Sequence, residues 1–321
     1  METVYQRRIR YKGKIEKVSK IICEYFNLGN FVANKIITFG YEDFNLALET
    51  TKNKYLVKIS SDFRSLKDCK RYIDVIVKAL KAGVNHPRLI KSNQGYFHVI
   101  ETDNSTLRLC VMDFINGHDF LRVSITPNTN EIKFLAQQAT LINSMDIKPS
   151  FVYDSWAIVN FPNEFKKKSK YLTYGEMELI QPLLEEFRNL NIEKLPHCFV
   201  HGDIISTNVM KDNNKQIWIT DFAVANYYPR IQELAVLACD LLFNRNSKNE
   251  SENNLKIALN EYQKFIHLTP EELRALPTYI RLAHAMHVLC SRYEKIVNNN
   301  KSKENEYFLE QGEAGLNQMS E

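Results

Sequence analysis

No two cysteines of this 321-residue chain form a CxxC pair. The six (Cys23, Cys69, Cys110, Cys198, Cys239 and Cys290) are scattered, which argues against a zinc ribbon or a disulfide frame and reads as thiols kept reduced. Long apolar runs are missing as well. The longest clean one, Leu234–Cys239, falls far short of the ~20 residues a membrane-spanning helix needs. The opening METVYQRRIRYKGKIEK has no apolar stretch of the secretory kind. Neither sign of charge dominates: 42 basic side chains face 38 acidic ones, a net charge of +4. That is too mild and too dispersed for a nucleic-acid-binding face. There is no internal repeat and no low-complexity linker. With 44% hydrophobic and 25% charged residues, the expectation is a cytoplasmic globular protein, without nucleic-acid or membrane partners and long enough for two lobes.

What is present is ordered along the chain. A helical opening at about 14–27 is followed by strand signals at Lys35–Phe39, Asn45–Thr50 and Tyr55–Ser60, separated by polar turns such as Thr51-Lys52-Asn53. Over Arg64–Ala82 the period changes, with Leu66, Ile73, Val77 and Leu80 near helical spacing and Gly83 as the stop. Two strands, Gly95–Glu101 and Leu107–Phe114, close this region around the turn Asp103-Asn104-Ser105. The economical reading is an α+β chain: a five-stranded antiparallel N-lobe with one helix over 1–115, then a mainly helical C-lobe over 116–297. The polar stretch 298–321 is expected to be a frayed tail. Helices are expected at 131–145, 176–190, 230–244, 253–266 and 270–297. The last opens with Thr269 as cap, Pro270 at the first position and acids in the first turn. Short strands at 208–211 and 216–220 interrupt them.

The chemistry concentrates in His201-Gly202-Asp203-Ile204-Ile205-Ser206-Thr207-Asn208, followed by Thr220-Asp221-Phe222. Phosphoryl transfer from ATP needs a carboxylate to orient the acceptor hydroxyl, hard oxygen ligands for magnesium and a cation on the phosphates. The segment offers Asp203, Asn208 five residues on, and Asp221 across a hairpin that would bring it back towards Asn208. A lone Asp in such a tripeptide is usually a turn residue; the Asn and the second Asp at these spacings give the functional reading its weight.

This pattern resembles the HGDxxxxN…D signature of the aminoglycoside phosphotransferase-like kinases, which include choline kinases and type II homoserine kinases. The likeness extends to the N-lobe order, the "VMDFINGHDF" stretch and "EYQKFIHLTPEELRALPTYIRLAH". It implies a bilobal protein-kinase-like fold, ATP and Mg2+ as cofactors and a small-molecule hydroxyl acceptor. By resemblance Asp203 is the catalytic base, Asn208 and Asp221 bind magnesium, Lys58 holds the α/β-phosphates, and the backbone of Met112, Asp113 and Phe114 meets the adenine. Lys58 is preferred over Lys52 and Lys54 because Val57 and Ile59 flank it. The chain departs from the pattern in three places. The loop Phe39–Asn45 has a single glycine, Ala223 stands where protein kinases have glycine, and the helix 64–82 carries Asp68 and Asp74 but no Glu. Asp74 is therefore the expected partner of Lys58.

Tyr227, Tyr228 and Arg230 are candidate acceptor contacts, with Asp240 and Glu261 as a candidate acidic wall for a cationic acceptor; solvated helix charges are the plainer reading of that pair. His201 is expected to hold its loop rather than move protons. Glu233 reads as a first-turn helix acid. The cluster Asp154-Ser155-Trp156 has no assigned role, and His284 and His287 read as core or groove residues rather than metal ligands. Two other readings compete with the small-molecule kinase. A Ser/Thr protein kinase is disfavoured by the roughly ten residues between Asp221 and the next helix. A non-catalytic nucleotide-binding scaffold is disfavoured by the intact Asp203, Asn208 and Asp221.

Overall fold

The computed structural model describes residues 4–38, 42–103, 105–123 and 126–320. Residues 39–41 of the loop Phe39–Asn45, and Asn104 of the turn 103–105, lie outside the described residues. In chain order the elements begin with α1 (Val4–Arg7), α2 (Ile15–Tyr25), β1 (Phe31–Ile37), β2 (Phe44–Thr50), β3 (Lys54–Ile59), α3 (Leu66–Lys81), β4 (His98–Glu101), β5 (Thr106–Asp113) and β6 (Gly117–Asp119). Next come α4 (Phe120–Val123), α5 (Thr129–Asn143), α6 (Phe161–Lys168), α7 (Tyr174–Ile180), α8 (Leu183–Asn189), β7 (His197–Val200), β8 (Val209–Asp212) and β9 (Ile217–Ile219). The chain continues through β10 (Asn226–Pro229), α9 (Ile231–Cys239), α10 (Lys248–Tyr262), α11 (Pro270–Val297) and α12 (Lys303–Ser320).

These elements form two compact units, Met1–His118 with Met210–Thr220, and Asp119–Val209 with Asp221–Glu321. The first is built on a five-stranded sheet of order β1-β2-β3-β5-β4, every pair antiparallel. Apolar side chains of the strands and of α2 face one core in which Ile22, Leu46, Leu48, Val57 and Val111 are fully buried. Ser65 caps α3 reciprocally with Asp68, the helix start that the Ser-x-x-Asp spacing supplies. The β8–β9 hairpin is tied to this unit by the Ile219 N–H, which donates to the Asn85 carbonyl oxygen at 2.8 Å.

The second unit is helical around α11. Thr269 and Glu272 form its capping box, with Pro270 at the start. All nine residues of α9 are buried, so the apolar run Leu234–Cys239 is a core helix; no described helix is long and apolar enough to cross a membrane. The helix expected over 176–190 is two helices, α7 and α8. Pro182 removes a backbone donor and crowds the preceding turn. The expected frayed tail is corrected: residues 303–320 form α12, which packs along α11. Phe308, Leu309, Gly312, Gly315 and Leu316 recur at three- and four-residue spacing and are buried. At Gly315 the approach is close enough that a Cβ would lie 2.1 Å from the His284 ring. The many polar residues of this stretch hide that stripe in the sequence.

Candidate active site

β7 ends at Val200 and β8 begins at Val209; the loop between them carries His201 to Asn208. Gly202 takes φ +76°, a left-handed conformation that costs a glycine least. The His201 ring is fully buried, packs 4.4 Å from Phe222, and its Nδ1 accepts the Asp203 N–H at 3.2 Å. Asn208 Nδ2 donates to the Asp203 carbonyl oxygen at 3.0 Å and to its Oδ2 at 2.6 Å, fixing the two side chains relative to each other.

Two buried carboxylates support this loop. Glu233, in the first turn of α9, accepts the N–H groups of His201 at 2.7 Å and Gly202 at 3.4 Å. Asp240, directly after α9, accepts the Ser206 N–H at 2.6 Å. Burial pushes Glu233 up to about 7 and Asp240 up to about 6, although the backbone donors pull the other way.

Asp203 is raised well above the usual carboxylate range. Burial is the main cause, and the charges of Asp154, Asp221 and Asp240 add to it against the Asn208 hydrogen bond. Asp221 sits at φ +67°, a region that Asp tolerates better than most residues, and its Oδ1 accepts the Ala223 N–H at 3.3 Å. Carboxylates that repel one another are the setting a divalent cation relieves. The Asn208 carbonyl oxygen and the Asp221 carboxylate are hard donors of the right kind. Among the described residues no three His, Cys, Asp or Glu side chains form a metal cage. A site with few protein ligands suits Mg2+, which keeps waters and substrate phosphates in its shell.

In the sheet unit Lys58 is buried on β3, with Nζ 3.2 Å from Asp43 Oδ2 and 4.8 Å from the centre of the Tyr72 ring. This corrects the expected pairing with Asp74. Asp74 is exposed, on the face of α3 opposite the buried Ile73 and Ile76. Asp43 lies two residues before Asn45, and Asn45 is the register partner of Lys58. Pleating therefore puts Asp43 and Lys58 on one face of the sheet. Asp43 also accepts the Ser61 N–H at 2.9 Å and Arg64 Nε at 3.0 Å. Met112 is buried in β5, Asp113 pairs with Arg88 at 3.1 Å, and Lys54 Nζ stands 4.1 Å over the Phe114 ring. The Asp113 N–H donates to the Arg88 carbonyl oxygen.

The remaining candidates are engaged in holding the helical unit together. Arg230 donates to both Glu272 oxygens, at 2.6 and 2.7 Å, and to the His267 carbonyl oxygen. Glu261 accepts from Gln137 at 2.8 Å and Lys264 at 2.6 Å. Tyr228 is buried and accepts from Asn226 Nδ2, while Tyr227 stacks on His197. Trp156 packs edge-on to His287 and Phe308. Two residues had no role in the sequence reading. Asp43 was legible in principle from strand alternation. Asp154 sits far from Asp203 in sequence, and no spacing rule connects them.

A five-stranded antiparallel unit with a buried Lys–Asp pair, joined to a helical unit carrying the HGD loop, defines the protein-kinase-like class of phosphotransferases. Within that class the chain belongs to the phosphotransferase enzyme family (APH), whose profile matches residues 35–276; it is a kinase with an alcohol group as acceptor. Homoserine kinase of Methylobacillus flagellatus is 20% identical over 279 residues, covering 83% of this chain and 81% of that one. The structure of a microcompartment-associated aminopropanol kinase superposes with a TM-score of 0.71 at 10% identity, over 94% of this chain and 95% of that one. A choline/ethanolamine kinase family protein from Mesorhizobium loti gives 0.67 at 14% identity, over 96% and 95%.

Proposed function

We propose that this chain transfers the γ-phosphoryl group of ATP, with Mg2+, to the hydroxyl of a small alcohol that carries an amine. The observation behind this reading is the Asp203–Asn208 pair, locked by a 2.6 Å hydrogen bond and flanked by the charges of Asp221 and Asp154. Asp203 would orient the acceptor hydroxyl and accept its proton as the oxygen–phosphorus bond forms; its raised affinity for protons suits that task. Mg2+ held by Asn208 and Asp221 would neutralise phosphate charge. Lys58 would pair with the α/β-phosphates, and the Met112–Phe114 backbone would receive the adenine. Asp154, a second carboxylate near Asp203, favours an acceptor with a positive group. The amine-bearing substrates in the names of two similar proteins, aminopropanol and homoserine, fit the same reading.

The test is ADP release with Mg-ATP across amino alcohols, homoserine, choline, sugars and aminoglycosides, with Asp203→Asn alongside. Turnover is expected on an amine-bearing alcohol, lowered about 10²–10⁴-fold in the variant while ATP binding persists. Full activity of Asp203→Asn would remove the proposed base. Silence across the panel with ATP still bound would favour a protein acceptor or a scaffold.

A further inference from the structure

Of the two carboxylates that support the catalytic loop, Asp240 is itself held from another element. α9 stops at Cys239, and Asp240 leaves helical geometry at φ −122°, ψ −85°. Its Oδ1 accepts the N–H of Ser206 at 2.6 Å, and Ser206 lies between Asp203 and Asn208 in the loop. The carbonyl oxygen of Asp240 accepts Gln311 Nε2 of α12 at 3.2 Å. Gln311 Oε1 accepts Arg245 Nε at 2.6 Å. Arg245 donates further to the Tyr307 carbonyl oxygen and to Glu310, each at 2.8 Å, with its guanidinium 4.9 Å over the Tyr307 ring. A direct series of hydrogen bonds therefore runs from α12 through Asp240 to the backbone between the proposed base and the proposed magnesium ligand.

We propose that Asp240 is a positioning residue rather than an acceptor contact, and that α12 fixes it through Gln311 and Arg245. The inference rests on reading the His201–Asn208 loop as the catalytic centre. Asp240 is only 2% exposed, so it offers a bound amine little surface. A carboxylate-to-amide hydrogen bond in a buried setting is stronger than a neutral one. Losing it leaves the Ser206 N–H without that acceptor, although the Ser206 carbonyl oxygen still accepts the Leu121 N–H, and the geometry of Asp203 and Asn208 loosens with it; small misplacements of reacting groups are costly.

The experiment compares Asp240→Ala, Asp240→Asn and Gln311→Ala with the parent protein. It reads kcat, acceptor KM and hydrogen exchange of the Ser206 amide. Asp240→Ala should lower kcat about tenfold or more, leave acceptor KM within about threefold and deprotect the Ser206 amide. Asp240→Asn keeps an oxygen that accepts the same N–H and should recover most of kcat and of the protection. Gln311→Ala should lower both measurably. Equal, large rises in acceptor KM for both Asp240 variants, with kcat kept, would make Asp240 an acceptor contact and overturn the proposal. So would unchanged kcat and unchanged Ser206 protection in Asp240→Ala. Should that variant fail to fold, Gln311→Ala decides by the same readouts: parental values overturn the role of α12. A parent that turns over no acceptor while Ser206 exchange still follows Asp240 would defeat the kinase reading and leave the brace standing.

Discussion

At the scale of single residues, the buried Lys58–Asp43 pair separates two acids that look alike in sequence. Asp43 is buried against Lys58 and Arg64. Removing it as Asp43→Ala takes away the carboxylate beside the buried Lys58, while Arg64 keeps Glu42; breaking a buried pair on one side costs about 3–5 kcal/mol. Asp74 is exposed, and Asp74→Ala should stay within about 0.5 kcal/mol of the parent. Urea unfolding of the two variants checks this; equal losses would mean that Asp43 is not the counter-charge of Lys58. The lysine itself was legible as the residue between Val57 and Ile59, which face the core; pleating turns it to the opposite face of the sheet, where it packs against Tyr72. Its partner lies two residues along the pleat from Asn45, where helical spacing gives no sign of it. For the carboxylates around Asp203, the HGD…N…D spacing conveyed the loop and its hairpin. It could not convey Asp154, Glu233 or Asp240, because those approach the loop through tertiary packing alone.

At the scale of elements, α11 carries two histidines whose burial makes stability depend on pH. Burial, with the charge of His287 second, lowers His284 to about 3; burial lowers His287 to about 4. Both rings are therefore neutral in the fold, while in the unfolded chain they take up a proton near pH 6.5. Their contribution is complete above pH 6.5 and is lost as pH falls from there towards 4 and then 3, at up to about 1.4 kcal/mol per pH unit for each ring. Glu233 and Asp240, raised by burial, act in the opposite direction, favouring the fold as pH falls through the range below about 7 and 6. Comparing His287→Gln with the parent between pH 6.5 and 5 cancels those shared terms. The variant's melting temperature should fall less steeply, and parallel curves would show that the ring is not held neutral. The helix α11 was readable from its Thr269-Pro270-Glu271-Glu272 start, since caps are local. The close seat of His284 against Gly315 was not, because it needs two helices placed side by side.

At the scale of the whole molecule, the division of labour between the two units makes α12 decisive for one of them. Among the described residues, the main core cluster of the sheet unit lies between Ile9 and Val111 and contains no residue of α12. The helical unit buries Phe308, Leu309 and Leu316 of that helix, each worth about 1.5–3 kcal/mol. The total, about 5–9 kcal/mol, is comparable to the whole stability of an ordinary domain, about 5–15 kcal/mol. A chain stopped after Asn300 should therefore lose the fold of its helical unit. Limited proteolysis should cut it rapidly within 119–209 and 221–300, while sites in the β1–β5 sheet resist for longer. A truncated chain as resistant as the parent throughout would mean that α11 closes the core without α12, and the tail would then be dispensable, as its polar composition suggests.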